Sequence, residues 1–312
     1  MDGKAMMTKP RVAFVGSGGA VKGVAHLGVL RALEELDVGV DIFVGTSTGA
    51  LIGAFYTQGY SAEDIVDWFR PAYLRTGRKP RLPLRSMFGL PNLEQLRHPG
   101  YLTSGLLSID RLERKLQEIL PNDDFRALSR TLLVSAADID GRGRTVFGKA
   151  HREDIPISKA VAASCAMPGI YRPHRVGSRY LVDGEVVRTL SIDLAVEAGA
   201  DVIVVSNVYR PEMLRPGGKS IAHRGIVNVG RQTLNLVLSE KEKRGIDLIH
   251  RLYPHVQVLN VSADLAGYSF TSPLSVRPVL TRSYRDALRI LAAAKRRGVF
   301  EIASNVHTIG QA

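Results

Sequence analysis

Two glycine-framed loops within the first fifty residues, Gly18-Gly19-Ala20-Val21-Lys22-Gly23 and Gly45-Thr46-Ser47-Thr48-Gly49, constrain this chain more than any other feature. Each follows a short apolar run, 11–16 and 41–44, and each opens an apolar stretch with helical spacing. A strand that turns directly into a helix through glycine is the repeating step of a parallel sheet with helical crossovers. Two such turns about one βαβ unit apart fall at the same sheet edge, where they bring together backbone N–H groups and a serine on a sharp turn.

The rest of the chain continues the alternation. Helices are expected from 21 onward, with Val24, Leu27, Leu30 and Leu33 on one stripe, and at 49–56, 108–120, 157–166 and 190–198. Strands are expected at 131–136, 145–147, 179–182 and 201–206, with Asp140-Gly141-Arg142-Gly143 turning between the first two. Helical patterns at 227–252 and 284–297 flank a strand-like run at 255–261. The pattern predicts an α/β fold with a largely parallel sheet. Residues 70–100 break it with five prolines and seven Lys/Arg against one acid, Glu94, and Leu82, Leu84, Met87, Phe88 and Leu90 among them. That composition reads either as a solvated surface loop or as a basic, membrane-touching lid.

The 312 residues suffice for a large core without staples, and one cysteine, Cys165, leaves no intramolecular disulfide. The polar N-terminus lacks a signal-like apolar stretch, and no apolar run reaches the roughly 20 residues of a membrane span. A cytoplasmic protein is expected, peripheral at most at the inner face of a membrane. The net charge of +12 favours acidic partners, but no nucleic-acid reading module accompanies it, so nucleic acid is not an expected partner.

A serine hydroxyl becomes a nucleophile when it is exposed on a strained turn, has a base within reach and faces donors for the oxyanion. Gly45 and Gly49 frame Ser47 for the first requirement, and Gly18 and Gly19 leave amides at a helix start open for the third. Nucleotide loops do not fit the spacing: Gly23 is followed by Val24 and Ala25 rather than Lys-Ser/Thr, and Val21 stands where a dinucleotide loop needs Gly or Ala. Asp183, in Tyr180-Leu181-Val182-Asp183-Gly184, follows a strand and is either a turn residue or a general base. His26, inside the first helix pattern, reads as a packed or capping residue. His223, His250, His255 and His307 follow the acid but have no motif around them.

The blocks GGAVKGVAHLGVLRALEE, GTSTG, AVAASCAMPGIYRP and YLVDGEVVRTLSIDLAVEAGAD, in that order, resemble the patatin-like phospholipase family over residues 10–210. The resemblance to a bacterial patatin-like serine acyl hydrolase implies a three-layer α/β/α sandwich with a mostly parallel central sheet. It implies a dyad of Ser47 and Asp183 without histidine, and an oxyanion hole at Gly18, Gly19 and Ala20, with Lys22 as the family's basic residue. It places Gly184 in the acid loop and requires no cofactor or metal. Hydrolysis of a phospholipid or other lipid ester through an acyl-enzyme is the implied reaction, of phospholipase A or lysophospholipase type. A weakly active lipid-binding or regulatory scaffold and an acyltransferase are the alternatives. Ala20 replaces the usual third glycine, and Glu185 stands where glycine or alanine is common, either raising the pKa of Asp183 or pointing to solvent. Arg188 and Thr189 stand at positions often taken by asparagine. The expected organisation is a flexible segment 1–9, a catalytic domain 10–210 with the basic insertion at 70–100, and a helical extension 211–312 packed on the same domain. Arg75, Arg78, Lys79, Arg81 and Arg85 are expected to contact anionic membrane. The oligomeric state leaves no mark on the sequence.

Overall fold

In chain order the strands are β1 (Val12–Gly16), β2 (Ile42–Gly45), β3 (Gly105–Leu107), β4 (Thr131–Asp138), β5 (Gly143–Gly148), β6 (Gly169–Tyr171), β7 (His174–Val176), β8 (Arg179–Asp183), β9 (Val202–Ser206) and β10 (Gln257–Asn260). The helices are α1 (Ala25–Glu35), α2 (Thr48–Tyr56), α3 (Ala62–Val66), α4 (Leu93–Arg97), α5 (Pro99–Leu102), α6 (Asp110–Ile119), α7 (Ile157–Ser164), α8 (Ile192–Glu197), α9 (Ile226–Leu252) and α10 (Val276–Arg296). The computed structural model describes residues 9–67, 89–188, 190–209, 211–214, 218–265, 268 and 273–301.

The main sheet runs β10-β9-β1-β2-β4-β8-β7, with β5 also paired to β4. From β10 to β4 the pairs are parallel, as the alternation predicts, whereas β5, β8 and β7 are antiparallel. The central strands are apolar throughout because both faces are covered. In β1, Val12 and Phe14 enter one core with Phe43 and Leu27, while Ala13 and Val15 enter a second with Ile42, Leu194 and Ile249. Two cores on opposite faces of one sheet make the protein an α/β/α sandwich.

The first layer of helices is closed by α10. Its buried residues Val279, Ser283, Ala287 and Leu291 recur every fourth position and form one stripe. Gly28 of α1 permits the close crossing, since a Cβ there would stand 2.2 Å from Ser283 Oγ. The C-terminal part therefore supplies both an edge strand and a layer helix. α10 begins eight residues before the expected start at Tyr284, carrying Pro278 in its first turn, where a missing N–H costs nothing.

The described part of the 70–100 segment is more ordered than its composition suggests: α4 and the start of α5 follow a capping box between Asn92 and Gln95, and just beyond it β3 pairs with β6. Leu82, Leu84, Met87, Phe88 and the cations Arg75, Arg78, Lys79, Arg81 and Arg85 lie outside the described residues, as does Thr189.

Candidate active site

Register explains how two distant motifs meet. Gly45 of β2 pairs with Val134 of β4, and Asp183 of β8 pairs with Ala136, two residues further along. Because β5 occupies the other edge of β4 along its length, β2 and β8 share one edge and run toward each other. β8 enters from the site side and ends inside the sheet, which buries Asp183 to 2 % exposure. Ser47, two residues beyond Gly45, is level with Ala136 and thus with Asp183.

Ser47 is the N-cap of α2 and takes φ 53, the left-handed conformation that side chains other than glycine adopt only under constraint. The constraint is visible. Its N–H donates to Ser164 Oγ (2.8 Å), whose own hydroxyl donates to the Ser135 carbonyl (2.7 Å). Gly49 abuts β1 so closely that a Cβ would lie 2.4 Å from the Gly16 carbonyl oxygen, and a Cβ on Gly45 would strike the Ala50 amide at 2.5 Å. Gly184 is pressed in the same way onto Ser135. The Ser164 and Ser135 supports escape sequence reading because each is an ordinary small residue until the fold is known.

Asp183 Oδ1 accepts the Glu185 N–H (3.0 Å), while Oδ2 is buried with no well-aligned donor. Ser47 reaches the carboxyl closely enough to oppose the effect of burial, yet burial dominates and pushes the Asp183 pKa up to about 6. The serine–aspartate contact is therefore poised rather than closed, as resting sites often are. The Cys165 thiol also lies against Ser47, and burial pushes its pKa far up.

The glycine loop runs alongside. The position a Cβ on Gly18 would take is 3.0 Å from Ser47 Cβ, so the loop backbone touches the serine. Gly19 (φ 149) and Ala20 (φ 47) turn the chain into a short 3-10 helix, Ala20–Val24. The amides of Gly19 and Ala20 donate to no acceptor among the described residues, as expected at the start of such a turn. The Gly18 N–H, which the sequence groups with them, is instead committed to Glu185 Oε1 at 2.7 Å. Glu185 thus points inward, not to solvent. Lys22, expected in the same loop, is buried with Nζ donating to the Leu265 carbonyl (2.7 Å), tying the loop to the C-terminal part.

His26 is buried beneath the loop, with Nε2 at the Ser17 carbonyl and Nδ1 at Ser206 Oγ, each 2.8 Å. Burial lowers its pKa to about 4, so it is a neutral brace: Nε2–H donates and Nδ1 accepts. His223 and His250 sit on the exposed helical part of the C-terminal region, and His307 lies outside the described residues. Among the described residues no group of three or more His, Cys, Asp or Glu side chains is placed to hold a metal.

In this α/β protein a serine on a strained strand-to-helix turn, a buried carboxyl level with it and open amides alongside lie together at one sheet edge. The patatin-like phospholipase model matches residues 14–196, more than half the chain, and the protein belongs to that family. An uncharacterised NTE family protein of Mycobacterium tuberculosis is 27 % identical over 307 residues, covering 97 % of this chain and 79 % of the relative. Human patatin-like phospholipase domain-containing protein 6 is 27 % identical over 205 residues, 65 % of this chain and 14 % of that protein. Among solved structures, VipD from Legionella pneumophila aligns with a TM-score of 0.46 at 14 % identity, covering 94 % of this chain and 69 % of its own.

Proposed function

We propose that the protein is a serine lipid acyl hydrolase of phospholipase A or lysophospholipase type. The reading is supported above all by the strained Ser47 facing a buried Asp183 whose pKa lies near 6. Asp183, ionised at neutral pH, takes the proton as Ser47 Oγ attacks the ester carbonyl. The tetrahedral oxyanion is held by the Gly19 and Ala20 amides, each such donor contributing about 3 kcal/mol. Collapse expels the alcohol, which receives its proton from Asp183. Water, deprotonated by the same carboxylate, then attacks the acyl-enzyme and releases the fatty acid and the free serine. An acceptor alcohol in place of water would give acyl transfer by the same steps. Ala20 keeps an open amide, so the departure from glycine does not remove a donor.

Turnover of medium-chain p-nitrophenyl esters and covalent labelling by a fluorophosphonate are both expected for the wild-type protein. Ser47→Ala is expected to abolish both, and Asp183→Asn to lower turnover by at least about a hundredfold, with circular dichroism unchanged. Hydrolysis persisting in folded Ser47→Ala would refute the proposal. A scaffold would neither turn over nor label, and added lysolipid acceptors would separate acyl transfer from hydrolysis by product.

Exposed apolar residues stand on the two-stranded ribbon of β3 and β6. Leu106 of β3 and Ile170 of β6 lie opposite one another between the pairs Gly105–Gly169 and Leu107–Tyr171, and both are exposed. We infer that this ribbon and the basic residues of 70–97 contact anionic lipid. Among the described residues no helix is long and apolar enough to cross a membrane. Binding to vesicles containing phosphatidylserine is expected to weaken as salt rises from 50 to 500 mM, about the range over which charge screening becomes strong. Salt-independent binding would count against the basic contact.

A further inference from the structure

Among the described residues, Glu185 is a carboxyl-bearing side chain inside this site that the proposed reaction does not use. It belongs to the short 3-10 turn Gly184–Val186 that follows β8, and it is buried to 6 % exposure. Its two polar ends point at different parts of the machinery. The backbone N–H donates to Asp183 Oδ1 at 3.0 Å, and the side chain accepts the Gly18 N–H at Oε1, 2.7 Å away. These contacts join the end of β8 to the loop after β1, segments 167 residues apart in sequence.

Space around the second contact is closed. The place a Cβ would occupy on Gly18 is 3.2 Å from Glu185 Cγ, 2.9 Å from the Tyr209 hydroxyl and 3.0 Å from Ser47 Cβ. The Gly18 peptide is therefore held between the nucleophile, the tyrosine and the glutamate. Its orientation sets the direction in which the next two peptides start, Gly19 and Ala20 following with positive φ; those peptides are braced in turn by Ser17 Oγ on the Gly18 carbonyl (2.9 Å) and the Lys22 N–H on the Gly19 carbonyl (3.0 Å), so Glu185 completes the hold at its first peptide. A buried amide left without its acceptor is costly, so the Glu185 carboxyl is a firm handle on this turn.

We propose that Glu185 is a positioning residue: with one backbone and one side-chain hydrogen bond it fixes Asp183 and the Gly18–Ala20 loop relative to each other, so that base and oxyanion donors meet the same carbonyl. This rests on the serine hydrolase reading above. The carboxylate does not touch the reacting atoms. It keeps the Gly19 and Ala20 amides aimed, and it accounts for a glutamate in a place where a small residue would fill less space.

The test is steady-state turnover of p-nitrophenyl butyrate by wild type, Glu185→Ala, Glu185→Gln and Ser47→Ala, with circular dichroism and urea midpoints for each. Glu185→Ala frees the loop and is expected to lower kcat by 10- to 100-fold while KM stays within about twofold, since a misplacement of about 1 Å can cost a hundredfold. Glu185→Gln retains an acceptor for the Gly18 N–H and is expected to recover most of that loss. Glutamine keeps the side chain's length and fold even if alanine loosens the site, so the comparison survives a destabilised Ala variant. Three results would overturn the proposal: Glu185→Ala turning over like wild type, a loss confined to KM, or Gln no better than Ala. A rise in kcat in Glu185→Ala would also overturn it, by showing a carboxylate that obstructs the donors. Wild type indistinguishable from Ser47→Ala would remove the hydrolase reading itself, and this inference with it.

Discussion

Asp183 owes its chemistry to the direction of one strand. β8 carries it from the open edge into the sheet, where little of it is exposed, and burial raises its pKa to about 6. The consequence for stability has a definite sign. Below the usual carboxylate range folded and unfolded chains both hold the proton, and burial of the neutral acid costs little. As pH rises from about 4 through 6 the unfolded chain ionises first, so the folded state loses stability, fully so by pH 7. Asp183→Asn is therefore expected to be about 3 kcal/mol more stable than wild type at pH 7 and nearly equal to it at pH 4, measured by urea unfolding. An equal difference at both pH values would contradict this origin. Turnover, which requires the ionised form, is expected to fall with a midpoint near pH 6 on the acid side.

At the scale of elements, the site is a junction of strand ends braced from below. Gly49 is where α2 touches β1, and Gly49→Ala would place a methyl 2.4 Å from the Gly16 carbonyl oxygen. Backbone on both sides leaves little room to give, so the substitution is expected to cost about 2 to 3 kcal/mol and to reduce fluorophosphonate labelling. An unchanged urea midpoint would show that the crossing is looser than described. These same elements were the legible ones. Strands buried on both faces announce themselves as apolar runs such as VAFV and IFV, and the two glycine loops follow these directly. The short strands β6 and β7 left no such trace, because three residues with His174 and Arg175 among them have no period to read. The antiparallel course of β8 was equally hidden, since a strand's direction depends on its partners. The motifs located the serine and the aspartate. They did not reveal that Glu185 holds Gly18 or that Ser164 holds the Ser47 amide, because contacts across 167 and 117 residues follow from packing alone.

For the whole molecule, the C-terminal part is structural rather than appended. β10 extends the sheet beyond β9, α10 covers α1 through the Val279, Ser283 and Leu291 stripe, and Leu265 accepts the buried Lys22 ammonium. A chain ending at Ser275 would expose the apolar face of α1 and is expected to be recovered as aggregate, or as a species that binds the dye ANS and does not label. A soluble, labelled product would show that α10 is dispensable. The same layout makes the order of synthesis matter. β1 and β2 are made at once, yet β9, the other neighbour of β1, follows some 150 residues later, and Leu265 later still. On the ribosome the serine emerges early, without its aspartate, and the loop that should face it has nothing to seat Lys22. On the proposed mechanism, a nascent chain lacks the base until Asp183 is made and the seat for Lys22 until Leu265 is made.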